Sequence, residues 1–248
     1  MQLQAKHIVI SFVLCFFCIC NINCSTTAAN GKEIEQINLI VNYPVTVANE
    51  GKVKLYNLND TISIFYYKSF VVYKLKPQRY METNEKAEGT EKYFAFKKGS
   101  KYGLLFKDYK NIDTGQKVLV DSLLKREAFG SLNFETNDTY LLHEVVKQQN
   151  NREVLEKYYF KLGYADMYDS VYHYYTDAFK TDRYSLSPKM DSAKQLKLFK
   201  VRLMFNEKFS QRDNIVLPKR EYSFEIQKLL IINDTVAIKL FTKSMNFN

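Results

Sequence analysis

The chain has no tryptophan, and its four cysteines, Cys15, Cys18, Cys20 and Cys24, all fall inside an apolar leader. Once that leader is removed no thiol remains, which excludes disulfides, cysteine nucleophiles and thiolate metal sites together. Eight glycines and four prolines are too few for a glycine-rich phosphate loop, a dinucleotide fingerprint or a breaker-rich linker between domains. Apolar runs are short everywhere after the leader, so no later segment is long enough to span a membrane as a helix.

The leader has the three parts of a secretory signal. Lys6 supplies the charge, Ile8 to Ile19 is an apolar run interrupted only by Ser11, and Ser25-Thr26-Thr27-Ala28-Ala29 offers small residues for cleavage. Cleavage is expected after Ala28 or Ala29, which makes residues 1–29 a signal peptide and 30–248 a single β-rich domain. Two other fates stay open. The leader can end before Cys24, with a lipid attached there, or it can be retained as an anchor, although its apolar run is shorter than the roughly 20 residues a bilayer core requires. Each fate exports the protein to the periplasm or cell envelope, and membrane contact is expected only through the leader. A mature chain of about 220 residues buries roughly 70% of its unfolded surface, enough for a core without covalent cross-links.

What is abundant is aromatic and cationic. The sequence holds 19 Tyr and 18 Phe, and its formal charge is +9. That charge is spread as lysine and interrupted by acids and aromatics, as in Lys107-Asp108-Tyr109-Lys110. A nucleic-acid surface concentrates Lys and Arg on one face, so no nucleic-acid partner is expected. Thinly spread lysine instead blunts strand edges and gives weak attraction to anionic glycans or lipid head groups.

The periodicity is that of strands. Phe199, Val201, Leu203 and Phe205 alternate with Lys200 and Arg202, Val236, Ile238 and Leu240 with Ala237 and Lys239, and Tyr102, Leu104 and Phe106 recur at the same two-residue period. Hairpin tips are expected at Asn59-Asp60, Gly99-Ser100, Asn137-Asp138 and Asn233-Asp234, because Asn, Asp and Gly tolerate the left-handed backbone of tight loops. Thr61 to Leu75 reads as one long strand needing curvature or a bulge. Asp121-Ser122 predicts a short helix through Ala128, and Ser187-Pro188 a second to about Ala193. Gly31 to Gly51 reads as an extended arm or first strand. The expected fold is all-β: an antiparallel meander of about ten strands forming a curved sheet or incomplete barrel, with one or two short helices.

Catalytic signals are weak. His143 and His173 lie in separate strand patterns, with no metal-ligand spacing around them, so no metal and no cofactor are expected. Asp169 and Asp177 flank His173 and are the candidates to orient it as a general base. No nucleophile elbow accompanies them. Paired carboxylates for glycoside hydrolysis cannot be judged from spacing, since such acids converge only in the fold.

Asp is followed by Ser or Thr seven times, and five pairs continue with an aliphatic or small residue, at Thr61, Ser122, Ser170, Ser192 and Thr235. This triplet resembles the O-glycosylation acceptor of secreted proteins in one Gram-negative phylum. As plain chemistry, it is also what turns and helix caps use.

The expectation is therefore a non-catalytic envelope protein that binds an apolar or glycan ligand, or a protein partner, in the sheet's concavity. The alternatives are an extracytoplasmic hydrolase built on dispersed carboxylates or the His173 cluster, and a structural or surface-assembly protein.

Overall fold

The structure is a computed structural model and describes residues 34–49, 52–75, 91–107, 112, 114–127, 134, 140–147, 152–160, 168–180, 182–210, 214–229 and 234–245. The leader with Cys24, and the turn at Asn137-Asp138, lie outside them.

Six strands run outward from the middle of the sheet to one edge: β1 (Glu35–Asn49), β2 (Lys52–Tyr67), β3 (Phe70–Leu75), β4 (Lys92–Lys97), β5 (Tyr102–Phe106) and β6 (Gln116–Leu119). After helix α1 (Val120–Glu127) the chain resumes at the opposite edge with β7 (Tyr140–Lys147) and returns through β8 (Glu153–Phe160) and β9 (Ser170–Thr176). Helix α2 (Pro188–Lys194), β10 (Lys197–Phe205), the hairpin β11 (Lys208–Ser210) and β12 (Ile215–Leu217), β13 (Arg220–Leu229) and helix α3 (Thr235–Met245) complete the order. The result is one open antiparallel sheet of 11 strands in the order β6-β5-β4-β3-β2-β1-β13-β10-β9-β8-β7, with β11–β12 a separate ribbon. Two meanders are thus joined at β1 and β13, whose register pairs Leu39 with Ile226 and Val41 with Phe224. A sheet of this length hides backbone edges everywhere except at β6 and β7.

Side chains alternate across this sheet, and each side has its own cluster. One side carries Ile37, Leu39, Ile64, Phe94, Leu105, Tyr175, Val201, Phe224 and Ile226, closed by Val120 and Leu123 of α1, Leu186, and Met190 of α2. This cluster runs from β5 to β8. The second cluster, with Phe65, Tyr67, Val72, Tyr93, Ala95 and Phe106, covers only the β2–β5 half of the other side, under Ala237, Leu240 and Phe241 of α3.

Several sequence signals act as expected. Gly99, at φ 84, makes the β4–β5 turn, closed by Ser100 N donating to the Lys97 carbonyl at 2.9 Å. Ser187 caps α2, its Oγ accepting from Met190 N, with Pro188 in the first turn. The Asp121-Ser122 helix is α1, and the ambiguous stretch before Gly51 supplies β1.

Other expectations are corrected. Asn59-Asp60 is not a tip but the interior of β2. Asn59 Nδ2 donates across to Asn42 Oδ1 at 2.6 Å and Asp60 accepts from the Tyr43 hydroxyl at 3.0 Å, so neighbouring strands meet needs that a turn would otherwise serve. The long strand at Thr61 to Leu75 is broken by a turn at Lys68-Ser69, with Lys68 at φ 51. The alternation at Val236, Ile238 and Leu240 belongs to helix α3, not to a strand. Asp234 decides the matter: its Oδ1 accepts from Val236 N and Ala237 N at 3.1 and 2.9 Å, an N-cap, and Ala237, Leu240 and Phe241 then fall on one buried helical stripe.

Candidate functional site: an aromatic and cationic sheet face

Strands β8, β9, β10 and β13 turn their second side away from the large core. No buried residue of either apolar cluster comes from that side of these four strands, although the half-buried Phe199, 6.4 Å from the Tyr174 ring, packs against the large one. The register places Tyr159, Lys157, Tyr172, Tyr174, Arg202, Lys200, Glu221, Ser223 and Glu225 there, and the next strand adds Asn42. Tyr159 is exposed, and Tyr172 and Tyr174 are half-buried.

These side chains hold one another in place. Arg202 pairs bidentately with Glu221, with both N···O distances 2.6 Å, and its Nη1 donates to the Tyr174 hydroxyl at 3.1 Å. Fork-to-fork geometry fixes the guanidinium plane, and the Glu221 hydrogen bond holds its pKa above the ordinary range. Lys200 pairs with Glu225 at 2.7 Å. The guanidinium carbon of Arg202 lies 5.6 Å from the Tyr172 ring centroid, and Lys157 Nζ lies 5.2 Å from the same ring and 5.0 Å from that of Tyr159. Hydrogen bonding to Tyr159, then to Tyr172, raises the Lys157 pKa, so its ammonium stays charged. Beyond β13 the face continues as amides and hydroxyls, with Asn59 donating to Asn42 and Asn42 Nδ2 to Ser223 Oγ at 3.1 Å. Fixed aromatic rings among donors and acceptors form a surface chemically suited to polar ligands with apolar ring faces.

The sequence-predicted acid–histidine cluster lies elsewhere. His173 is 2% exposed and points to the large core, its ring 5.3 Å from Tyr158 and 6.2 Å from Tyr175, and its Nδ1 has no hydrogen-bond partner. Asp169 accepts from Asn206 N at 2.6 Å and pairs with Lys208 at 3.1 Å, fixing the exit of β10. Asp177 pairs with Arg152 at 3.9 Å. Four residues along a strand span about 13 Å, so neither flanking aspartate is carried to the imidazole by the strand geometry. The acid facing His173 is Glu156, its register partner on β8. Glu156 is buried, accepts from the Tyr158 hydroxyl at 2.6 Å, and pairs with Lys194 of α2. Burial lowers the His173 pKa to about 4, against an upward pull from Glu156, with Lys194 pushing down. Sequence reasoning missed Glu156. Its signal is a lone acid at an inward position of the EVLEKYYF alternation.

Among the modification candidates, Ser122 and Thr235 are exposed at helix starts, Ser192 is exposed within α2, Thr61 is half-buried in β2 opposite Ile40, and Ser170 is buried. The side chain of His143 and the leader with Cys24 lie outside the described residues. Among the described residues no three His, Cys, Asp or Glu side chains gather as metal ligands, and no helix is long and apolar enough to cross a membrane.

No family model matches the chain, and no curated protein matches it. A solved structure of a DUF1329 family protein from Desulfovibrio piger aligns over 85% of this chain and 89% of its own, at 10% identity and a TM-score of 0.18. Agreement this loose carries no argument.

Proposed function

We propose that the chain is an exported, non-catalytic binding protein of the cell envelope, and that it engages a glycan through the tyrosine-lined face of β8, β9, β10 and β13. The observation that carries this reading is the row of Tyr159, Tyr172 and Tyr174 held by Lys157 and Arg202 on the half of that side that gives no buried residue to either apolar cluster. The opposite side carries the large apolar core along β5 to β8. A sugar offers hydroxyls to the Arg202–Glu221 pair and to the Asn42–Ser223 amide and hydroxyl, and a C–H face to the rings. A hydrolase built on His173 would require an imidazole open to substrate, and this one is buried. The leader, if cleaved after Ala28 or Ala29, delivers the protein to the compartment where such glycans lie.

Affinity electrophoresis through gels containing envelope polysaccharides tests the reading. Retardation lost in the double variant Tyr172→Ala/Tyr174→Ala supports it, and equal retardation of parent and variant removes it.

A second reading has its own observation. β7 is the outermost strand, and Leu141, Val145 and Val146 on it are each more than 40% exposed. An apolar open edge is what a surface-assembly protein presents for strand addition.

A further inference from the structure

The register sets residues of six neighbouring strands in one row across the sheet: Asn59 of β2, Asn42 of β1, Ser223 of β13, Arg202 of β10, Tyr172 of β9 and Lys157 of β8. Glu144 of β7 ends the row opposite Lys157. Every member is polar or aromatic. The rows on either side are not: Met204 interrupts the one that holds Tyr159, and Leu155 and Ile40 interrupt the one that holds Tyr174. Rows lie about 7 Å apart along the strands, so Tyr159 and Tyr174 border the row on which Tyr172 sits. Charge on this face is matched. Lys157 faces Glu144, Arg202 pairs with Glu221 and Lys200 with Glu225, and Glu153 stands on the same side of β8. Asn42 gives one amide N–H to Ser223 and keeps the other, and the exposed Asn59 keeps its amide oxygen, so a hydroxyl finds both donor and acceptor there.

From this we infer that the ligand is an uncharged linear glycan, bound through the interior of its chain, which lies across the strands along this row with one sugar stacked on Tyr172. The inference rests on the glycan reading above and names its substrate class. From Asn42 to Lys157 the row spans about 19 Å at the usual strand spacing, more than a disaccharide covers. Asn42 is therefore a second contact point, three strands from the Tyr172 ring, that only a longer chain reaches while it also stacks on that ring. Ser223, buried between Asn42 and Arg202, serves by holding the Asn42 amide in place. Because each cation has an acid beside it, no net field draws an anion to the row, and binding does not weaken as salt rises.

The test divides envelope polysaccharides by anion exchange into neutral and acidic fractions and cuts each into chains graded from disaccharide to octasaccharide. Isothermal titration measures their binding to the parent protein at low and high salt. The neutral chains are expected to bind, the hexasaccharide at least about tenfold more tightly than the disaccharide, with no loss at high salt. Asn42→Ala weakens the hexasaccharide more than the disaccharide. Tyr102→Ala, at an exposed ring of β5 outside the row, serves as the control and changes neither. Equal affinity of the parent for all lengths overturns the inference, as does binding of the acidic chains alone. An Asn42→Ala variant that weakens both lengths alike, or neither, overturns it too. Each of these results leaves the glycan reading intact, whereas no binding of either fraction removes both.

Discussion

Glu156 stands opposite His173 across β8 and β9 on the buried side of the sheet, while their chain neighbours Lys157 and Tyr172 stand opposite each other on the other side. A one-residue step of the ladder thus joins a buried polar cluster to the proposed ligand face. Strand alternation makes this unavoidable, since consecutive residues point in opposite directions.

His173 gives the fold a pH dependence with a definite sign. Its folded pKa is lowered to about 4 from an ordinary value of 6.5. Between those values the unfolded chain binds the proton and the folded one does not, so stability falls as pH drops from 6.5 toward 4 and levels off below. The loss from this group is up to about 3 kcal/mol. Urea denaturation at pH 7 and pH 4.5 should show the parent losing more stability than His173→Gln.

Removing the acid beneath Lys157 is also costly. Glu156→Ala leaves the Tyr158 hydroxyl and the Lys194 ammonium without their partner, and the expected loss is about 2–4 kcal/mol. Glu156→Gln, which keeps an acceptor, should lose less. Urea midpoints at unchanged m-value measure both.

Asp234 caps α3 and also pairs with Lys74 at 3.1 Å and accepts from the Tyr93 hydroxyl at 3.0 Å. Asp234→Ala is expected to cost about 1–3 kcal/mol, with Asp234→Asn in between. Hydrogen exchange should locate the loosening in α3 and leave β9 and β10 protected.

A methyl group at position 103 would lie 2.6 Å from the Phe94 ring and 2.8 Å from the Ala95 carbonyl oxygen. Gly103→Ala should destabilise by about 1–3 kcal/mol, because a backbone oxygen cannot step aside. Thermal melting provides the check.

The open antiparallel sheet was legible in the sequence, since Phe199–Phe205 and Tyr102–Phe106 both fold as strands, the first interrupted by a bulge between Leu198 and Lys200. What misled were residues whose local chemistry serves two structures. Asn59 and Asp60 suit a turn, yet Asn42 and Tyr43 satisfy them within β2. Val236, Ile238 and Leu240 alternate like a strand, yet the same stretch offers Ala237, Leu240 and Phe241 at helical spacing once Asp234 starts a helix. The abundance of tyrosine was visible in the composition. The assembly of its rings with Arg202 and Lys200 was not, because it depends on β8 to β10 pairing in one register across separated segments. Glu156 was hidden for the same reason.

Hydroxyl-radical footprinting of the tyrosine rings, with and without envelope polysaccharide, tests ligand binding at this face most directly. Protection is expected at Tyr159, Tyr172 and Tyr174, with no change at the exposed Tyr56 and Tyr102. Ligand binding that leaves Tyr159, Tyr172 and Tyr174 as reactive as before would contradict it.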